Sequence, residues 1–414
     1  MARINVNPAM LGTEQVYAAW AMTHFDKTVL QITPRLDSGG AERTTLEIAE
    51  AISRAGGRAL VMSAGGRLSS LIKNAGGEVI LAPVDSKNPY VIWRNAGRVA
   101  QIIKSEGVDL VHARSRAPAW SALMATKRTG VPFVTTYHGA YAASGPVKRV
   151  YNSSMLRADR VIANSRFTAE RIFAGGGIDP ARLSVIPRGV DLRSFDPAKV
   201  SAGRVNQAVK AWGLGEKQGF RVLLPARLTP WKGHETAIVA VQAIKERQKH
   251  TLPTGQGPSL TLVFCGGAQG KQDFERRLRA RMDECGVRNM IHLVGDCADM
   301  PAAYAWADVV IAPSTRPEAF GRVIVEAAAM AKPVIASAHG GACETVIDGE
   351  TGVLVAPGDA IVLADAIERM RDLSSDACNL MGEKARARTA SVYSSAAMCD
   401  ATLGVYQSLL AEQV

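Results

Sequence analysis

Apolar residues in this chain gather in short unbroken runs. From residue 28 onward the runs are TVLQIT (28–33), RALVMS (58–63), EVILA (78–82), VDLVHA (108–113), VPFVTTY (131–137), RVIAN (160–164) and LSVIP (183–187). The segments between them, such as GAERTTLEIAEAISRAG, space their apolar residues as a helix does. Continuous apolar strands alternating with helices predict a parallel sheet covered on both faces. The stretch GVDLRSFDPAKVSAGRVNQAVKAWGLGEKQGF is polar and marked by Gly and Pro, and it interrupts the pattern. A second series follows: RVLLPA (221–226), LTLVFCGG (260–267), MIHLVG (290–295), DVVIAPS (308–314), KPVIAS (332–337) and TGVLVA (351–356). HTLPTGQGPS (250–259) reads as a surface loop and 360–414 as helical throughout.

The pattern therefore predicts an α/β chain of two doubly wound, Rossmann-like domains. At 414 residues the chain is too long for one ordinary core. The expected layout is a preamble at 1–26, a first domain at 27–200 and a second at 201–390. A C-terminal helix at 391–414 is expected to pack back on the first domain. Ligands of such folds bind at the carboxyl ends of the strands, here in the cleft between the domains.

Charge adds an asymmetry. Residues 27–192 carry 23 Lys and Arg against 12 Asp and Glu, while the rest of the chain holds 26 of each. The whole net charge of +11 thus sits in the first domain. Such an excess suits an anionic lipid surface, a phosphorylated substrate or nucleic acid, or serves solubility alone. Aromatic residues make up only 6% of the chain, too few for a single-strand stacking platform, and no nucleic-acid motif is present. Six cysteines without a CxxC pair fit neither a zinc framework nor a disulfide scaffold, and reduced cytosolic thiols are the simplest reading. No signal-peptide pattern opens the sequence, and no apolar run approaches the ~20 residues that span a bilayer.

Chemistry concentrates where strands end. Gly39 and Gly40 follow the first strand and lead into a helix, where backbone amides can approach an anion. His138 follows the fifth strand and precedes a glycine, within reach of a sugar hydroxyl or a reacting centre. In LLPARLTPWKGHETAIVA, Arg227 and Lys232 lie past the second domain's first strand, able to hold a diphosphate. In RPEAFGRVIVEA, Glu318 falls in a turn and Glu326 on the helix opened by Phe320, Gly321 and Arg322. Carboxylates accept from vicinal hydroxyls, and the amides of Gly321, Arg322 and Val323 suit phosphate or sugar oxygens. Gly340 and Gly341 form another close-approach turn. The dinucleotide fingerprint and the GxxxxGK[ST] loop are both missing, which disfavours nicotinamide, flavin and P-loop enzymes.

Taken in order, these segments resemble glycosyltransferase family 4, whose members have the two-domain GT-B fold. The resemblance rests on GGAE (39–42), ARLTPWKG (226–233), EAFGRVIVE (318–326), HGGACETV (339–346) and TGVLV (351–355). It covers nearly the whole chain beyond residue 26. It implies a hexose moved from a nucleotide sugar, GDP-mannose or a UDP-sugar, to a glycan or glycolipid of the bacterial envelope, such as lipopolysaccharide core. It further implies retention of anomeric configuration and no metal cofactor, and no D-x-D triplet occurs. Glu326 would bind the ribose, Glu318 the donor sugar, and Arg227 and Lys232 the diphosphate with help from Gly40. His138 would lie near the anomeric carbon, and residues near Val294 would read the base. Arg188 departs from the family pattern, standing where Asn is common. KRVYNSSMLRADR (148–160) is the expected contact with an anionic membrane surface at the cytoplasmic face. A sugar-nucleotide 2-epimerase and a non-catalytic sugar-nucleotide-binding protein are the rival readings.

Overall fold

Each apolar run forms a strand, and all strands within a sheet are parallel. The structure, a computed structural model, describes residues 24–37, 39–139, 145–175, 177–215, 219–248, 260–268, 270 and 272–413. The loop expected at 250–259 and most of the preamble lie outside the described residues. The chain divides into two compact units. One runs to Gly189 and resumes at Ser395; the other is Val190–Ser394. The division thus precedes the boundary expected at 200.

The first unit contains β1 (Thr28–Ile32), β2 (Arg58–Ser63), β3 (Glu78–Leu81), β4 (Leu110–Ala113), β5 (Phe133–Tyr137), β6 (Arg160–Ala163) and β7 (Leu183–Val185). Their order in the sheet is β3-β2-β1-β4-β5-β6-β7. The winding direction reverses between β1 and β4, so the loops at their carboxyl ends part there and leave room for a ligand. Every residue of β4 and β5 is buried, as a sheet covered on both faces requires.

One of those covers is the helix Ser395–Ala411. It buries Met398, Cys399, Tyr406 and Leu409 in one cluster with Val29, Leu46, Ile48 and Ile52. Phe25 joins this cluster, with its ring 6.2 Å from that of Tyr406, so the preamble ends before it. The contact also holds a buried polar network that the apolar pattern did not announce. His112 on β4 meets the Tyr406 hydroxyl through Nδ1 at 2.5 Å and Thr136 Oγ1 through Nε2 at 2.8 Å. Burial, and then the nearby Arg114, keep His112 far below its ordinary pKa and therefore neutral. The Arg114 guanidinium is itself buried and donates to Gln31 Oε1 from Nε at 3.2 Å and Nη2 at 2.7 Å.

The second unit contains β8 (Phe220–Pro225), β9 (Leu260–Cys265), β10 (Ile291–Gly295), β11 (Val309–Ala312), β12 (Val334–Ser337) and β13 (Gly352–Val355). The order is β10-β9-β8-β11-β12-β13, with the reversal between β8 and β11. The polar stretch read as an interruption contains a ten-residue helix, Ala202–Ala211, capped by the Ser201 side chain. Its apolar face packs Val205 and Val209 against the cluster that holds Trp306. The tail is helical as expected, in three pieces: Ala360–Asp372, Ser375–Val392 and Ser395–Ala411. Among the described residues no helix is long and apolar enough to cross a membrane.

Replacing Tyr406 by Phe keeps the ring and removes the hydroxyl that meets His112. The expected cost is about 1–3 kcal/mol. It should appear as a lower urea midpoint for the first unit, with the native circular-dichroism spectrum retained.

Candidate active site

At the second unit's reversal point two loops leave neighbouring strands. The β8 loop ends in a single 3-10 turn, Pro230–Lys232, and Gly233 then enters the helix His234–Gln248. Gly233 has φ +79°, and a Cβ there would lie 1.9 Å from the Pro313 carbonyl oxygen. Only glycine lets the β8 loop press this closely on the β11 loop. A backbone hydrogen bond from Thr315 N to Trp231 O at 2.8 Å joins the same two loops.

This packing brings Lys232 and Glu318 together. Lys232 Nζ lies 2.7 Å from Glu318 Oε2, and both side chains are largely shielded from solvent. Ser314 Oγ donates to Glu318 Oε1. The ammonium also sits 4.5 Å from the centre of the Trp231 ring. Glu318 is thus held at both oxygens, and Lys232 by a carboxylate and an aromatic face. An ammonium has three protons and a carboxylate about four acceptor sites, so each keeps capacity for a ligand.

Glu326 lies on the helix Arg322–Ala329, which Gly321 opens from a left-handed conformation, φ +83°. Tyr304 Oη donates to Glu326 Oε2 at 2.8 Å, and Arg322 Nε donates to Oε1 at 3.0 Å. Burial, reinforced by the Glu326 carboxylate, raises the Tyr304 phenol well above its ordinary pKa, so it stays a donor. The Gly340–Gly341 turn is a close-approach turn, and it is the backbone of this segment that approaches it. A Cβ on Gly340 would lie 2.4 Å from Glu318 O, and one on Gly341 2.5 Å from the Phe320 backbone. Gly341 N also donates to Glu318 O at 2.9 Å. The two glycines therefore buttress the 318–320 loop.

Arg227 is exposed just past β8. Phe320, expected at the donor, is 3% exposed and packs on Tyr393, Val190 and Val325. Its contact with any ligand would run through the backbone, because its ring is committed to the core. The Val323 side chain is half-buried against the core, which leaves its amide at the helix start. Val294 lies on β10, the edge strand two places from β8, and its side chain packs on the core.

In the first unit, Gly39 caps the helix Gly40–Arg54. His138, just past β5, meets Arg188, whose Nη2 donates to its Nδ1 at 2.9 Å. Burial first, then Arg188 and Arg114, push the His138 imidazole well below its ordinary pKa, so it is neutral. The segment expected at the membrane is divided between core and surface, with Arg157 and Asp159 exposed in its second half. Asn152, Ser154, Met155 and Ala158 are buried, whereas residues 147–150 are exposed.

Sequence reasoning missed Ser314 and Tyr304, which hold the two glutamates. Ser314 ends a strand run and carried a usable signal, lying four residues before Glu318. Tyr304 sits in an unmarked helix and carried none.

Two family models match the chain: Glycosyltransferase Family 4 over residues 38–194 and Glycosyl transferases group 1 over 209–388. A curated relative, D-inositol 3-phosphate glycosyltransferase from Salinispora arenicola, is 33% identical over 280 residues, which is 63% of this chain. The match spans 60% of that relative's own length. A crystal structure of a glycosyltransferase from Rickettsia africae ESF-5 aligns with a TM-score of 0.84 and 34% identity. It covers 93% of this chain and 99% of that one. Anabaena HepE in complex with UDP-glucose aligns with a TM-score of 0.77 and 26% identity, over 92% of this chain and 99% of that one.

Beside Lys232, His234 is fully buried with its ring edge-on to Phe264 at 4.9 Å. Burial lowers its pKa from 6.5 to about 4. The native state thus prefers the neutral ring. This contribution is complete above the unfolded value of about 6.5 and is lost as pH falls from there towards 4, roughly 3 kcal/mol in all. Urea midpoints measured from pH 7.5 to 4.5 should fall, and His234→Phe should flatten that fall in the second unit.

Proposed function

The chain belongs to glycosyltransferase family 4, and on that premise we propose that it transfers a hexosyl group from a nucleoside diphosphate sugar to a hydroxyl of a glycan or glycolipid acceptor. The observation that carries this reading is the pair of braced carboxylates at one sheet reversal. Glu318 is tied to Lys232 and Ser314, and Glu326 to Tyr304 and Arg322. Carboxylates fixed in place, with acceptor sites to spare, suit two sets of hydroxyls: a donor sugar at Glu318 and a ribose at Glu326.

The reaction would break the bond between the anomeric carbon and the diphosphate oxygen and form one to the acceptor oxygen. Negative charge grows on the leaving diphosphate, and the free protons of Lys232, together with Arg227, would stabilise it without a metal. Because Glu318 already orients the ammonium, little reorganisation accompanies that charge growth. We assign retention of configuration, with the acceptor attacking from the face the diphosphate leaves and passing its proton to a phosphate oxygen. The transition state would be oxocarbenium-like.

The HepE complex with UDP-glucose favours a UDP-sugar as donor over GDP-mannose. For the acceptor we favour a phosphorylated one, such as a lipid-linked envelope glycan. The relatives named for D-inositol 3-phosphate support this choice, and so does the basic excess of the first unit. Val147 and Val150 are exposed on the helix Pro146–Ser153 beside Lys148 and Arg149, a fitting patch for an anionic membrane surface.

A thermal-shift screen of UDP-, GDP- and ADP-sugars should show one class raising the melting temperature through mass action. No shift with any of them would count against the reading. Glu326→Ala should weaken nucleotide-sugar binding about 10–100-fold, the loss of a charged hydrogen-bond acceptor. Glu318→Ala should lower kcat more than it raises KM.

Vesicles of phosphatidylglycerol with phosphatidylcholine should bind the protein better than phosphatidylcholine alone. Lys148→Glu with Arg149→Glu should lower that binding by about tenfold or more, near 1 kcal/mol per basic residue removed. Equal binding to both vesicle types would sink the membrane assignment.

A further inference from the structure

The Arg188 guanidinium is built into the first unit. Its backbone is set by two anchors. Ile186 N donates to Ala163 O at 2.9 Å, and Gly189 N donates to Met398 Sδ at 3.3 Å. The guanidinium lies against Gly40, where a Cβ would come within 2.3 Å of Arg188 Nη1. From this seat Nη2 reaches His138 Nδ1 at 2.9 Å.

The chemistry of that contact is one-directional. A guanidinium has donors only and does not lose its proton in proteins. His138 Nδ1 must therefore be the acceptor, with its lone pair facing Arg188, and the single proton of the neutral ring must sit on Nε2. That Nε2 atom is buried and has no hydrogen-bond partner among the described residues. A buried donor left unpaired costs free energy, and a ligand oxygen would satisfy it. The charged and titratable groups that face the ring are Arg188, Arg114 and His112. The two arginines both oppose an imidazolium, and His112 is neutral.

We propose that Arg188 is a positioning residue: it fixes His138 as the Nε2–H tautomer, so that His138 serves the transferred group as a hydrogen-bond donor and not as a base. The proposal rests on the glycosyl-transfer reading for the identity of the partner oxygen, a hydroxyl or phosphate oxygen of the substrates. The tautomer itself does not rest on it. An asparagine at 188 has a shorter side chain and an amide with both a donor and an acceptor, and would not dictate the tautomer in this way.

Two measurements test it. In the full-length protein labelled with 15N-histidine, long-range proton–nitrogen spectra should show a protonated Nε2 and a bare Nδ1 for His138. This pattern should hold from pH 5.5 to 8. Arg188→Ala should give mixed tautomers, while Arg188→Lys, which keeps a donor, should restore the single tautomer. Kinetically, Arg188→Ala should lower kcat about tenfold with KM for the nucleotide sugar little changed. That is well short of the roughly 100-fold or more lost when such a donor is deleted outright. A wild-type His138 that carries its proton on Nδ1, or that titrates near its ordinary value, would overturn the assignment whatever the enzyme's substrate. The expected tautomer together with unchanged kcat in both Arg188→Ala and His138→Ala would overturn its role in transfer. Absence of turnover with any nucleotide sugar would defeat the functional reading, and the spectra would still decide the tautomer.

Discussion

The Lys232–Glu318 ion pair is the constraint on which the second unit's site depends. It closes the gap between the loops of β8 and β11, the two strands at which the winding reverses. Everything nearby serves that closure. Gly233 admits the Pro313 carbonyl, Thr315 binds the Trp231 backbone, and Gly340 with Gly341 props the 318–320 loop from behind. A shielded pair of this kind contributes little net stability, because desolvation offsets the attraction. Its worth lies in fixing an ammonium and a carboxylate in one geometry before a charged ligand arrives.

Glu326 shows the same logic with different partners. Its carboxylate is oriented by a phenol that burial keeps protonated and by an arginine one helical turn away. Both glutamates are therefore prepared acceptors. On the other unit His138 is prepared as a donor by Arg188. The candidate groups differ in polarity, and each is set by a hydrogen-bonding or charged neighbour.

Much of this was legible in the sequence. Strands such as β1 and β11 are apolar on both faces, so the run itself marks them, and their carboxyl ends mark Gly40, Arg227, Lys232 and Glu318. The helix Ala202–Ala211 was hidden because its apolar face rests on only a few residues within a polar stretch. Phe320 sits inside a motif, and the burial of its ring on Tyr393 is a tertiary contact that the motif does not announce. Tyr304 and the Gln31–Arg114 and His112–Tyr406 contacts were illegible. Their partners meet across the fold, and no local spacing encodes such a meeting.

The helix Ser395–Ala411 completes the first unit's core although the entire second unit precedes it in the chain. Synthesis on the ribosome runs from the amino terminus, and domains fold as units while it proceeds. The second unit therefore emerges as one continuous segment, free to fold during translation. The first unit waits with Val29, Ile48 and Ile52 uncovered until the helix Ser395–Ala411 is made. Its exposed apolar face during that interval makes it the half of the molecule most in need of a chaperone, and the half that a premature stop codon would leave unfinished.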